Sequence, residues 1–165
     1  SLQEICINDL MLDLYESASD EALKKSIILD INPPSERLMV VCDPFRIKQA
    51  MSNLIGNALK FVPEKGRISV GVEKNKDELK LFVKDNGPGI PADKIPLIFV
   101  RKWQAKKTAN LGAGLGLSIV KGIVDSHKGK LWVESELGSG TTFYFTIPLT
   151  LKAETAKLVT VAEKK

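Results

Sequence analysis

Asn53-Leu54-Ile55-Gly56-Asn57-Ala58-Leu59-Lys60-Phe61 is followed by Asp85-Asn86-Gly87-Pro88-Gly89-Ile90 and then by Gly112-Ala113-Gly114-Leu115-Gly116-Leu117. The fold turns on how these three stretches are read. The first lies where Ile47, Ala50, Met51, Leu54, Ile55 and Ala58 recur at helical spacing, which at 3.6 residues per turn makes one apolar stripe. Arg46, Gln49, Asn53, Asn57 and Lys60 fall on the adjacent face. Asparagine is a poor helix former, and each of the two costs about 0.5 kcal/mol in a helix interior. An ordinary exposed face would more often carry Glu or Lys. An amide oxygen, by contrast, is a suitable hard ligand for Mg²⁺, and Lys60 adds a point charge for phosphate.

The second stretch closes a strand. Its plain reading is a turn, since Asp, Asn, Gly and Pro dominate turns. Its chemical reading is a base site. A carboxylate at Asp85 accepts a hydrogen bond from the amino group of adenine, where guanine would present a carbonyl and repel it. Gly87 and Gly89 let the backbone come close to a flat base. The third stretch opens a helix, and glycines before a helix N-terminus make a cradle of N–H donors with a favourable dipole. Its spacing is neither GxxxxGK[ST] nor GxGxxG after a strand, so it is no P-loop and no dinucleotide fingerprint. Neither His-Arg-Asp nor Asp-Phe-Gly occurs, which excludes the eukaryotic protein-kinase fold. Gly138-Ser139-Gly140-Thr141 reads equally as a hairpin turn or as part of the site, with Thr141 able to reach Asp85 through a water. Together the pieces predict a nucleotide pocket with a metal-binding wall, a base-reading floor and a phosphate-covering lid.

Around these segments the periodicity predicts a helix from residue 5 to 18, with 20–26 continuing it or forming a loop. Ile27–Ile31 and Leu38–Val41 read as short strands about the Pro33-Pro34 turn. Asp43-Pro44 supplies an N-cap and a first-turn proline for a helix running to about Val62. Arg67–Lys74 with Glu78–Lys84, and Lys130–Glu136 with Thr141–Leu149, read as hairpins. Ala92–Phe99 reads as a short helix and Leu115–His127 as a longer one. The order is not a βαβ alternation, so a mixed sheet with helices on one face is expected.

The bulk properties agree with one globular domain. The chain has 165 residues, 44% hydrophobic and 27% charged. No apolar run approaches the roughly 18 residues of a membrane span, and no secretory signal opens the chain. It begins with Ser1, which reads as an excised segment in which residues 1–4 are the end of a preceding helix or a cloning scar. Residues 5–149 read as the domain and 150–165 as a linker or tail. The formal net charge is +4. The tail holds Lys152, Lys157, Lys164 and Lys165 against Glu154 and Glu163, so the rest is near neutral and shows no nucleic-acid footprint. The basic run Arg101, Lys102, Lys106 and Lys107 reads as a solvated loop or as a phosphate contact. Cys6 and Cys42 read as reduced thiols, which fits the cytoplasm; a disulfide is the alternative.

These motifs resemble the catalytic ATP-binding domain of bacterial sensor histidine kinases, within the GHKL superfamily that includes gyrase, a heat-shock chaperone and MutL. Asn53–Phe61 resembles its asparagine box, and Asp85–Ile90 and Gly112–Leu117 its first two glycine boxes. Ile98-Phe99 resembles its phenylalanine box and Gly138–Thr141 its last glycine segment. The resemblance implies a two-layer α/β sandwich, the Bergerat fold, with a mixed and mostly antiparallel sheet of about five strands on three helices. It implies Asn57 as Mg²⁺ ligand, Asn53 and Lys60 as catalytic residues, and Phe61 packed on the nucleotide. Asp85, Gly87, Gly89, Ile90, Arg101, Gly112, Gly114, Leu115, Gly116, Leu117 and Thr141 complete the ATP contacts. Val100 and Lys102 depart from the family's lid pattern, although Arg101 is in place.

The reaction implied is transfer of the ATP γ-phosphoryl group to a histidine on a separate dimerisation domain of the same full-length kinase. A response regulator receiver domain would follow downstream. Hydrolytic relatives carry a glutamate where this chain has Asn53, and an amide cannot take a proton. The lone His127 reads as a residue at a helix C-terminus facing the dipole, not as a phospho-acceptor. A serine kinase of the anti-sigma-factor type, a non-catalytic binding module and a hydrolytic ATPase are the rival readings.

Overall fold

The computed structural model describes residues 1–99 and 114–149. The segment from residue 100 to 113, on which the expected lid with Arg101 and Gly112 falls, and the segment from residue 150 lie outside the described residues. Helix α1 spans Ile7–Lys24, with Ile7, Leu10, Met11, Leu14 and Ala22 buried at helical spacing. Helix α2 spans Pro44–Phe61. Its start is the one expected: the Asp43 carboxylate accepts from the Arg46 N–H at 3.3 Å and Pro44 occupies the first turn. Ile47, Ala50, Met51, Leu54, Ile55 and Ala58 are all buried, so the apolar stripe faces the core. Helix α3 spans Gly114–Ser126.

The main sheet is built from β2 (Ile28–Asn32), β4 (Arg67–Lys74), β5 (Glu78–Asp85), β7 (Gly140–Pro148) and β6 (Leu131–Glu136), in that spatial order. β2 runs parallel to β4, and the other pairings are antiparallel. Both expected hairpins form, and the sheet is mixed, as the resemblance implied. Alternation assigns its faces. Ile68, Val70, Leu79, Leu81, Val83, Phe143, Phe145 and Ile147 are buried on the helix side. The opposite face carries a stacked pair, Trp132 on Tyr144 at 5.1 Å, with the Lys80 ammonium 5.3 Å from the Tyr144 ring. This is a two-layer α/β sandwich.

One expectation is corrected at the N-terminal end, where the strand pairing also becomes visible. Gln3–Cys6 is a strand, β1, not the end of a helix; it pairs antiparallel with β3 (Met39–Cys42). The two strands about Pro33-Pro34 are not partners of each other: β2 joins the large sheet, and β3 joins β1 in a two-stranded one. Asn8 holds the loop between them. Its side chain accepts from Leu38 N–H at 3.1 Å and donates to the Pro34 and Glu36 carbonyls, tying the loop to α1. Ala92–Phe99 contributes only a 3-10 turn at Ile95–Leu97. Cys6 and Cys42 are free and buried, at opposite ends of the β1–β3 ladder, and burial pushes the Cys42 thiol up to about 12.

Candidate nucleotide site

Asp85 is the last residue of β5, and its parity with Leu79, Leu81 and Val83 turns it to the helix side of the sheet. A carboxylate at that place would be costly without partners. It has two. The Gly87 N–H donates to it at 2.8 Å, and the Thr141 N–H of the neighbouring strand donates as well. Burial still dominates and raises the Asp85 pKa above its ordinary value, with the two N–H bonds pulling the other way. The group is therefore a fixed acceptor at the end of the sheet.

The loop after Asp85 is held on every side. The Asn86 carboxamide oxygen accepts from Arg67 N–H at 2.8 Å, pinning the loop to the start of β4. The Pro88 carbonyl accepts from Gly138 N–H at 2.9 Å. Gly89 has φ +79°, and a Cβ there would run into the Glu136 carbonyl. Gly140 has φ +123°, and a Cβ there would run into the Asp85 carbonyl. The glycine requirement at 89, expected from contact with a base, is set by the protein's own β6–β7 turn. A Cβ at Gly87 would lie 3.0 Å from the Asp85 carboxylate oxygen, so the small residue there guards that group's approach. Gly138–Thr141 is thus the hairpin turn, and it also supports the Asp85–Ile90 loop. Phe61, at the end of α2, is exposed beside this loop: its carbonyl lies 3.6 Å from where a Gly87 Cβ would stand.

The α2 face brings Asn53, Asn57 and Lys60 together along one side, as the spacing predicted. Asn53 is half-buried and its Nδ2 reaches the Gly116 carbonyl at 3.5 Å, so α2 meets the first turn of α3 here. Gly114 and Leu115 open that helix, and Leu117 is buried in the core. Asn57 is 9% exposed, and its Nδ2 is buried with no hydrogen-bond partner among the described residues. An orphaned amide on a polar stripe fits a site completed by something outside the chain. Among the described residues, no three His, Cys, Asp or Glu side chains cluster closely enough to hold a metal. The oxygen of the Asn57 amide is a hard donor of the kind Mg²⁺ accepts.

Ser135 is the site residue that sequence reasoning missed. It lies on β6, and the register Asp85↔Thr141 and Ser135↔Thr141 puts Asp85, Thr141 and Ser135 in one row across three strands. Its Oγ accepts from Ile90 N–H at 2.7 Å, donates to the Gly140 carbonyl at 3.0 Å and lies 2.8 Å from Thr141 Oγ1. The signal was its parity: Ser135 alternates with Leu131 and Val133 and so belongs to the covered face.

His127 has a structural occupation. It is buried; its Nε2 accepts from Asp43 N–H at 3.0 Å and its Nδ1 lies 2.8 Å from the Ile123 carbonyl. Both ring nitrogens are committed, and the ring staples the end of α3 to the start of α2. Lys128 (φ +60°) and Gly129 then close α3, with N–H bonds back to Asp125 and Val124.

The comparisons with known proteins agree with this geometry. The family model described as "Histidine kinase-, DNA gyrase B-, and HSP90-like ATPase" matches residues 42–151. The adaptive-response sensory kinase SasA of Synechococcus elongatus is 32% identical over 149 residues, covering 89% of this chain and 38% of that protein. This chain therefore spans well under half the length of such curated relatives. The catalytic domain of histidine kinase ThkA superposes with a TM-score of 0.81 at 33% identity, covering 90% of this chain and 98% of that one. Full-length ShkA, solved in complex with AMPPNP, superposes with a TM-score of 0.81 at 32% identity, covering 90% of this chain and 31% of that one. With its family match and its likeness to nearly the whole ThkA catalytic domain, this chain belongs to the histidine kinase-, DNA gyrase B- and HSP90-like ATPases, as a catalytic domain of the histidine-kinase kind.

Proposed function

We propose that this domain binds ATP through Asp85 and holds the γ-phosphoryl group, at the Asn53–Asn57 end of α2, for transfer to a histidine supplied by another domain. The observation that carries this is the pairing of a fixed carboxylate at the end of β5 with an asparagine face on α2. The carboxylate accepts from the exocyclic amino group of adenine and leaves guanine disfavoured. The Asp85–Ile90 loop, with Gly87, Gly89 and Ile90, forms the base wall, and Phe61 covers its open side. Thr141 adds a hydroxyl to the same wall.

At the other end, Asn57 is the residue that would hold Mg²⁺, through its amide oxygen. The metal, when bound, supplies neutralisation of phosphate charge. Lys60 would add positive charge beside the phosphates, and backbone N–H groups from Gly114, Leu115, Gly116 and Leu117 at the start of α3 would cap them, while the roles expected of Arg101 and Gly112 fall outside the described residues. Asn53 orients what stands next to the γ-phosphate but cannot accept a proton, so water is not activated there. An imidazole is nucleophilic without such help. The partners on this reading are a histidine-bearing dimerisation domain and, downstream, a response regulator receiver domain. No described helix is long and apolar enough to cross a membrane, and we place the domain in the cytoplasm, where ATP and reduced thiols are found.

The test is to incubate the chain with γ-labelled Mg·ATP and the histidine-bearing segment of its full-length protein. Acid-labile, alkali-stable label on that segment, with slow phosphate release, is the expected result. Label on serine, or fast phosphate release without protein label, would overturn the reading.

A further inference from the structure

The cross-strand row Asp85–Thr141–Ser135 is polar at one end of a sheet face whose middle is apolar. Its third member, Ser135, is hydrogen-bonded to three other residues, none of them Asp85 or a member of the asparagine face. Hydroxyl bookkeeping fixes the direction of each bond. A serine hydroxyl has one hydrogen to give and two lone pairs. The Gly140 carbonyl, 3.0 Å away, can only accept, and so takes the hydrogen. The Ile90 N–H, 2.7 Å away, can only donate, and takes one lone pair. The remaining neighbour, Thr141 Oγ1 at 2.8 Å, must then give its own hydrogen to Ser135.

We propose that Ser135 is a positioning residue for nucleotide selection: by drawing in the Thr141 hydrogen it leaves the Thr141 hydroxyl an acceptor beside the acceptor Asp85. The inference rests on the ATP reading given above. Thr141 is the cross-strand partner of Asp85, so the two residues stand side by side on one face of the sheet. Whatever bridges them from the ligand side has to donate. Adenine, with its amino group, satisfies that condition. Hypoxanthine and guanine, which present a carbonyl at the same ring position, do not. A lone threonine could rotate its hydrogen towards such a carbonyl and relax the choice; the bond to Ser135 removes that freedom. The same Oγ also fixes Ile90, so one side chain sets both the polarity of the base site and the position of its loop.

The experiment compares ATP and inosine triphosphate affinities, with Mg²⁺, in the intact chain and in the Ser135→Ala and Ser135→Thr variants, with melting temperatures recorded for each. Removing one hydrogen bond that discriminates between ligands changes their ratio by roughly tenfold. The expected result is that Ser135→Ala lowers the ATP-to-inosine-triphosphate preference by about that factor, chiefly by binding inosine triphosphate better relative to ATP. Ser135→Thr, which keeps the hydroxyl, restores the preference. An unchanged ratio in Ser135→Ala, or equal weakening of both ligands with a lowered melting temperature, would overturn the inference and leave Ser135 a brace of the hairpin. Failure of Ser135→Thr to restore the ratio while melting like the unsubstituted chain would overturn it too. Failure of the unsubstituted chain to bind ATP would instead remove the ATP reading itself.

Discussion

The two ends of the candidate pocket are built differently. At the base end the polar groups are tied into one another. Asp85 is held by Gly87 and Thr141, Thr141 by Ser135, Ser135 by Ile90 and Gly140, and Pro88 by Gly138. At the phosphate end Asn57 Nδ2 has no partner among the described residues, and Asn53 reaches the start of α3 by a long contact of 3.5 Å. The difference separates recognition from chemistry. On the proposed reading, a prebuilt base end would select the ligand without reorganising, whereas the phosphate end would be completed by the ligand and its metal.

The largest expected effects come from breaking the base end sterically. Gly140→Ala forces a Cβ into the Asp85 carbonyl at a φ of +123°, and should cost about 2–4 kcal/mol of stability, read as a lowered denaturation midpoint. Gly116→Ala on the phosphate side is the contrast. Its nearest neighbour would be Asn53 Cβ at 3.7 Å, so stability should hold or rise by up to ~1 kcal/mol. Equal losses at the two glycines would erase the distinction between the ends.

Next in size is Asp85→Asn. It replaces a charged acceptor by an amide, and ATP should bind roughly 10- to 100-fold more weakly while tripolyphosphate is little affected. Calorimetry with both ligands decides it, since a similar loss for tripolyphosphate would take Asp85 out of the base site. Asn57→Ala should act in the complementary way. ATP affinity should fall by about tenfold in Mg²⁺ and lose its dependence on the metal, because the amide oxygen that would ligate it is gone. Titrations with and without Mg²⁺ that still differ as in the unsubstituted chain would contradict the ligand role.

The smallest effect is one of pH. Burial raises the Asp85 pKa, so the folded chain takes up this proton more readily than the unfolded one. This group's penalty to folding is therefore present at neutral pH and relieved as pH falls through the raised value. Nucleotide affinity runs the other way, because protonation removes the acceptor. ATP binding should weaken by a few-fold on acidification, starting above the pH at which an ordinary aspartate titrates, and Asp85→Asn should lack this component. An identical pH profile in the two proteins would remove Asp85 from the base contact.

Much of the fold was legible because its decisive signals are local. The Asp43-Pro44 start, the α2 stripe and the alternation in both hairpins each depend on neighbours within a turn or two. What escaped was non-local. Met39–Cys42 and Ile28–Asn32 are close in sequence around two prolines, and nothing local says that they enter different sheets. Gln3–Cys6 is a strand only because β3 lies beside it. In the site, Asp85 was legible from its loop, but the reason for Gly89 was not. That glycine answers to Glu136, 47 positions later in the numbering. Ser135 sits between two glutamates and reads as surface until its parity with Leu131 and Val133 is counted.

The contrast between a finished base end and an unfinished phosphate end is tested most directly by amide NMR of the isotope-labelled chain, titrated first with adenosine and then with Mg·ATP. Adenosine alone should shift the backbone amides of Gly87, Ile90 and Thr141 and leave the side-chain amide of Asn57 in place, and Mg·ATP should then move Asn57. Binding of Mg·ATP that moves Asn57 but leaves Gly87 and Thr141 undisturbed would contradict the account.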